Sequence, residues 1–249
     1  MSDNTQVRQY WNSHIHDLDV SSSVPGSREF FADLDQYHFE KLHHLPRLID
    51  FDAYRGKRVL DVGCGAGTDL ARFAKGGALV SGVDLSLSAI ALATQNFAQQ
   101  GLAADLREAD GEHLPFADGS FDFVFAHGVV QYTAHDKALV DECRRVLAPG
   151  GILRAGVPDF GRYAESYAGD RAFLEARRPG RPTPLLALAE VALGHGHRSV
   201  WDAETLERVL SESGLVDVSR RDFGDSALAP APDNPLREPE SVYAEGRAA

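Results

Sequence analysis

The sequence predicts an α/β fold built on a doubly wound, mostly parallel sheet, on three observations. Short apolar, β-branched runs alternate with segments of helical period through the middle of the chain. A glycine-rich loop, Asp61-Val62-Gly63-Cys64-Gly65-Ala66-Gly67-Thr68, follows directly on the first of these runs. Acidic residues close the second and third runs, so polar groups gather at one edge of a single sheet. The 249 residues are enough for one sizeable core. We read them as one domain: an N-terminal helical arm over 1–55, a core over 56–159, a helical cap over 160–201 and a return to the core over 202–249.

Taken in order, the arm is rich in aromatics and histidine, with Phe30, Leu34, Tyr37 and Leu45 at roughly helical spacing. Arg58–Cys64 reads as a buried strand ending in glycines. Strands follow at Ala78–Leu85, at the more polar Ala104–Asp110 and at the alternating run Phe121–His127. A fifth, Gly151–Pro158, follows the turn Ala148-Pro149-Gly150. Ser86 is placed to cap a helix in which Ile90, Ala93 and Phe97 share a face and Gly101 ends the run. Leu139, Val140, Cys143, Val146 and Leu147 repeat that pattern. In the cap, the break Arg178-Pro179-Gly180-Arg181-Pro182 precedes an apolar helix, Leu185–Leu193. Asp202 caps a helix carrying Leu206, Val209 and Leu210, with Glu204–Arg208 as an i,i+4 pair. Strands near Val216–Phe223 and Ser241–Arg247 complete the set.

Composition narrows the function classes. Twenty-five Lys and Arg face 37 Asp and Glu, a formal net charge of −12. Such a surface repels phosphate backbones and anionic lipid, so neither nucleic acid nor a membrane is the expected partner. The longest apolar stretch, Pro184–Gly194, is too short to span a bilayer. The first residues are polar, without an apolar signal core. Two cysteines, Cys64 and Cys143, supply neither a disulfide framework nor a zinc cluster, and the expected compartment is the cytoplasm.

The glycine loop is the sharpest motif. Its glycines allow a tight turn and let a ligand approach the backbone at a helix N-terminus. A dinucleotide fingerprint requires its last glycine where Thr68 stands, so the spacing here is G-x-G-x-G and pyrophosphate binding is less well supported. Asp84 ends the second strand 21 residues after Gly63, where an acid can accept two ribose hydroxyls. Asp110-Gly111-Glu112 and Ala126-His127-Gly128 are further stations after the third and fourth strands.

VLDVGCGAGTD, GVDLS, ADGEHLPFADGSFDFVFAHGV and RVLAPGG, in this order, resemble the class I S-adenosylmethionine-dependent methyltransferases, particularly their small-molecule branch. The resemblance covers roughly Arg58–Asp159 and implies a Rossmann-like sheet of seven strands with the last antiparallel. It assigns Gly63, Gly65 and Gly67, with Cys64 among them, to the turn beneath the methionine and ribose. It gives Asp61 a part in organising that turn and the ligand's amino group, Asp84 the ribose hydroxyls and Leu85 the adenine face. Asp110 then takes the adenine amino group beside the Gly111 and Glu112 backbone, and Ala126 and His127 contribute backbone near the methionine end.

Methyl transfer from a sulfonium is an in-line displacement, and a base is needed only where the accepting atom arrives protonated. The candidate bases are His14, His16, His38, His127, His195 and His197, with Tyr10, Tyr37 and Tyr132 as orienting hydroxyls. Tyr10-Trp11 resembles the N-terminal Tyr-Trp of related enzymes. The arm and the cap hold most of the spare aromatics and histidines, and are expected to form a lid over a small-molecule acceptor pocket. A homodimer contact through Leu185–Leu193 is the competing use of that helix. A nicotinamide-dependent oxidoreductase and a non-catalytic S-adenosylmethionine-binding module are the alternative functions, and no metal site is expected.

Overall fold

Strand and helix alternate from residue 58 onward because the apolar period switches between two and 3.6, and most switches fall at a glycine, serine or aspartate able to end or cap an element. The computed structural model describes residues 5–13, 20–39, 51–228, 233 and 238–249, and only the backbone of Gln6, His38, Phe39 and His195. Helices α1 (Thr5–Ser13) and α2 (Arg28–Phe39) precede a 3-10 turn at Phe51–Tyr54. Then come β1 (Arg58–Val62), α3 (Thr68–Lys75), β2 (Leu79–Asp84), α4 (Leu87–Gln100), β3 (Asp105–Glu108) and β4 (Phe121–His127). They are followed by α5 (Asp136–Val146), β5 (Leu147–Pro158), and the cap helices α6 (Phe160–Ala168), α7 (Ala172–Arg177) and α8 (Pro184–Leu193). Last are α9 (Ala203–Glu212), β6 (Val216–Arg221) and β7 (Ser241–Arg247).

The seven strands lie in the order β3-β2-β1-β4-β5-β7-β6. β1 to β5 are parallel, and β7 runs antiparallel to both its neighbours. Chain order reverses between β1 and β4, so the loops leaving those two strands diverge and open a crevice at the carboxyl edge. The period of two in β4 splits the core. Phe123 and Phe125 face Leu70 and Phe73 of α3 and Phe97 of α4, while Val124 and Ala126 face α5 and α9 across the sheet.

The local signals hold closely. Ser86 caps α4 by accepting from Ala89 N, and Gly101 ends it in the left-handed region at φ 65°. Asp202 caps α9 by accepting from Thr205 N at 2.8 Å. Two details differ. Arg208 pairs forward with Glu212 at 2.7 Å, where Glu204 was the expected partner. The turn Ala148-Pro149-Gly150 is absorbed into β5 as an irregularity, with Leu147 opposite Phe121 before the ladder resumes at Ile152 opposite Phe123. Leu45 lies outside the described residues.

The flanking segments pack on the crevice side. Phe30, Phe31 and Leu34 of α2 form a cluster with Ala66 and Leu92, and Asp35 holds Arg72 through two hydrogen bonds of 3.0 and 2.8 Å. Within the cap, Tyr163, Leu174, Ala187 and Val191 make a small core of their own. Among the described residues no helix is long and apolar enough to cross a membrane. Both cysteines are free and buried.

Candidate functional site

A cavity of about 320 Å³ occupies the crevice. Its floor is the loop between β1 and α3, which the sequence builds from three glycines with positive φ: 77° at Gly63, 54° at Gly65 and 74° at Gly67. A Cβ added at Gly63 would run into the Val129 side chain, in a conformation L-residues rarely adopt. Gly63→Ala should therefore destabilise the loop by about 1–2 kcal/mol and weaken ligand binding. A thermal melt and a ligand titration unchanged from the parent protein would contradict this.

Asp84 ties two loops together. Its Oδ2 accepts from Gly65 N at 3.0 Å and its Oδ1 from Ser86 N at 2.8 Å. Burial pushes this carboxyl above the usual range, opposed by the Ser86, Gly65 and Leu85 amides. Each oxygen has a further lone pair for a ligand hydroxyl. Ser86 Oγ in turn contacts α1, lying 2.9 Å from Asn12 Oδ1 and donating to Trp11 O over 3.3 Å. The sequence therefore docks the arm on the residue that caps α4.

Of the expected site residues, Gly63, Cys64, Gly65, Asp84, Leu85, Asp110, Gly111, His127 and His197 all line the cavity. Tyr132 does so too, its ring held between Trp11 at 4.8 Å and His197 at 5.1 Å. The arm and the cap thus meet on one side chain. The His127 ring lies near Phe125 and Tyr243, with centroid separations of 5.9 and 5.6 Å, over Gly156, where an added Cβ would come within 2.6 Å of it.

Asp61, Gly67, Glu112, Ala126 and Tyr10 are not in the cavity wall. Asp61 lies behind the glycine loop; burial first, then the charges of Asp69 and Asp84, push its carboxyl well above the usual range. Gly67 has turned away to form the N-cap of α3, and an added Cβ there would press on Ala93 and Phe97. Glu112 instead binds the following loop, through the Thr133 hydroxyl, His135 N at 3.0 Å and His135 Nδ1 at 2.9 Å. Ala126 points into the α5 side of the core. Tyr10 sits at the seam between α1 and the cap, with its ring 3.9 Å from where a Cβ of Gly196 would be. Tyr37 is half exposed and does not line the cavity. His14 and His16, and the side chains of His38 and His195, lie outside the described residues.

Sequence reasoning missed several wall residues. Thr68 and Asp69 open α3 directly after the glycines, and an acid in a first helical turn was available as a signal. Gln131 follows β4, while Arg178 and Glu240 come from the cap and the approach to β7 and pair at 3.0 Å. Nothing local marks those two, which only the tertiary fold brings together.

The donor set distinguishes between ligands. Asp61, Asp69 and Asp84 are within electrostatic reach of one another around the loop. Such a cluster attracts an ammonium and a sulfonium but repels the two charges of a pyrophosphate. The open face of Gly65, where an added Cβ meets nothing within 4 Å, leaves room for close approach to the backbone. S-adenosylmethionine suits this wall, and a dinucleotide, whose pyrophosphate would face these carboxyl groups, suits it less well. Among the described residues no group of His, Cys, Asp and Glu is arranged to hold a metal ion.

The comparisons with known proteins agree. A family model described as a methyltransferase domain matches residues 60–155. An uncharacterized protein of Mycobacterium bovis is 37% identical over 169 residues, covering 67% of this chain and 60% of its own. A ubiquinone biosynthesis O-methyltransferase of Paraburkholderia xenovorans is 35% identical over 144 residues, covering 53% of this chain and 62% of its own. The chain thus spans about six-tenths of the length of these relatives. In fold it is similar to a geranyl diphosphate C-methyltransferase from Streptomyces coelicolor, solved with S-adenosyl-L-homocysteine, at a TM-score of 0.63 and 15% identity over 100% of this chain and 98% of the other. The glycine loop and the Asp84 station both fall within residues 60–155, the stretch that matches the methyltransferase-domain model.

Proposed function

We propose that this protein transfers the methyl group of S-adenosylmethionine to a small-molecule acceptor that is neither a nucleic acid nor a membrane component. The observation that carries this reading is the single cavity wall that combines the glycine loop and Asp84 with residues of the arm and the cap. The cofactor supplies an activated methyl on a positively charged sulfur. Asp84 holds the ribose, Asp110 and Leu85 the adenine, and the acidic residues around the loop favour the cationic end. Trp11, Tyr132 and His197 close the other end, where they exclude water and align the acceptor. The formal charge of −12 argues against a polyanionic acceptor.

Calorimetry is expected to show binding of S-adenosylmethionine and its demethylated product, and weak or absent binding of NAD. A methyl-labelled cofactor incubated with a panel of small alcohols, phenols, amines and thiols is then expected to yield a labelled small-molecule product. Tight NAD binding with none for S-adenosylmethionine would refute the reading, as would label transfer to nucleic acid alone.

A further inference from the structure

A buried amide stands in the cavity wall with no task in holding the fold. Gln131 lies in the 3-10 turn Val130–Tyr132, directly after β4, and is 3% exposed. Its carbonyl accepts from Arg198 N over 2.8 Å and from Ser199 N over 3.4 Å, so the backbone alone fastens this turn to the end of the cap. The side chain does something else. Its Oε1 is enclosed and accepts no hydrogen bond among the described residues. Its Nε2 lies beside Gly128, another wall residue, where an added Cβ would be 3.9 Å from it. A desolvated amide oxygen without a donor is unfavourable, and a leucine of similar size would fill the space without that cost. A polar group kept in an apolar wall on such terms is the kind that orients a ligand.

The surroundings say what it meets. Pro158 and Val191 are its apolar neighbours in the wall. Asp159 N donates to Glu240 O at 2.8 Å, which brings the Arg178–Glu240 pair to the same end of the cavity. Those two charges satisfy each other at 3.0 Å, so neither is left for an ionised acceptor.

We infer that Gln131 selects the methyl acceptor, and that the acceptor is a neutral molecule carrying a hydroxyl apart from the atom that is methylated. This deepens the methyl-transfer reading above and rests on it. A half-turn about the last side-chain bond exchanges Oε1 with Nε2 and leaves the backbone tie untouched. A hydroxyl both donates and accepts, so it meets either end of the amide. A methyl group in its place meets neither, and a site built for the hydroxyl rejects it by leaving the amide unpaired.

The test uses the full chain with methyl-labelled cofactor and three probe pairs in which a hydroxyl is exchanged for a methyl. They are resorcinol and 3-methylphenol, 3-aminophenol and 3-methylaniline, and 3-mercaptophenol and 3-methylbenzenethiol. In whichever pairs are methylated, kcat/KM for the hydroxyl member is expected to exceed that of its partner about tenfold or more. Gln131→Leu should bring the ratio to within about twofold by raising KM for the hydroxyl member, with cofactor affinity also within about twofold of the parent. It should also raise the denaturation midpoint of the ligand-free protein, because it removes an unpaired buried group; a glutamine kept for the fold would lower it on removal. A ratio near one in the parent, a preference that survives Gln131→Leu, or a lowered midpoint would overturn the inference and leave methyl transfer intact. So would label on the wider panel of small molecules with none on these six. No label on any compound, despite cofactor binding, would overturn both.

Discussion

Asp233→Ala is expected to lower the stability of the protein by about 3–5 kcal/mol, a large part of the roughly 5–15 kcal/mol that holds a domain folded. Arg154 in the middle of β5 and Asp233 have no exposed surface, and Glu245 of β7 is 2% exposed. The Arg154 guanidinium donates through Nε to Asp233 Oδ1 at 2.8 Å and through a second nitrogen to the other carboxylate oxygen. It also reaches Glu245 at 3.1 Å and the carbonyls of Asp222 at 3.1 Å and Asp225 at 2.6 Å. Asp233 accepts from Gly224 N at 2.8 Å as well, so one carboxylate anchors the connection between β6 and β7 to the sheet. Removing it leaves a desolvated cation short of a partner and a buried amide short of an acceptor, and both are expensive. The loss should reach the site, because the Tyr243 ring stacked under Arg154 at 4.9 Å also lies against His127. Chemical denaturation checks this, with Arg208→Ala as the control. Arg208 is 74% exposed in its pair with Glu212, and its removal should leave the midpoint where it was. Equal midpoints for the two variants would contradict the assignment.

Asp84→Ala is expected to weaken S-adenosylmethionine binding by about 3 kcal/mol, or more than 100-fold, since two hydroxyl groups lose a charged acceptor worth about 1.5–3 kcal/mol each. The loss also releases Gly65 N and Ser86 N from their common partner, so the glycine loop and the α4 cap loosen together. The same carboxylate sets a pH dependence. In the proposed role its ionised form accepts from the ribose, and burial raises its pKa in the free protein. Affinity should therefore decline on acidification at a pH above the ordinary carboxylate range. Hydroxyl donors stabilise the anion, so binding in that window should release protons. The sign for the unliganded fold is opposite: a carboxyl raised by folding makes the native state less stable as pH climbs from its unfolded value through the raised one. Calorimetry at several pH values in buffers of different ionisation enthalpy reads both effects. An affinity indifferent to the substitution would remove Asp84 from the ribose.

Local chemistry made the cofactor half of the protein legible from sequence. The glycines at 63, 65 and 67 carry their conformational meaning wherever they stand. Ser86 and Asp202 cap from their own positions, and β4 and β7 were bounded to the residue because alternation and flanking turns are short-range signals. Parallel order then followed from alternation, and with it the edge at which Asp84 and Asp110 stand. Direction was harder. Gly67, Glu112 and Ala126 lie in the expected loops and strand but outside the cavity wall, with Gly67 capping α3, the Glu112 side chain held at Thr133 and the Ala126 side chain in the α5 core. One residue of rotation decides such outcomes, and spacing alone does not carry it.

The acceptor half was decided by tertiary structure. Tyr132, Trp11 and His197 are distant in sequence and share no motif, yet the Tyr132 ring meets Trp11 edge to face and His197 at a tilt. Arg178 reaches Glu240 across 62 residues, and Arg154 reaches Asp233 across 79. The sequence by itself determined the sheet and its binding edge, since each rests on backbone conformation within a few residues. Only the folded chain determined that His127 and His197 both reach the cavity wall, because a ring's position is set by neighbours that other elements supply.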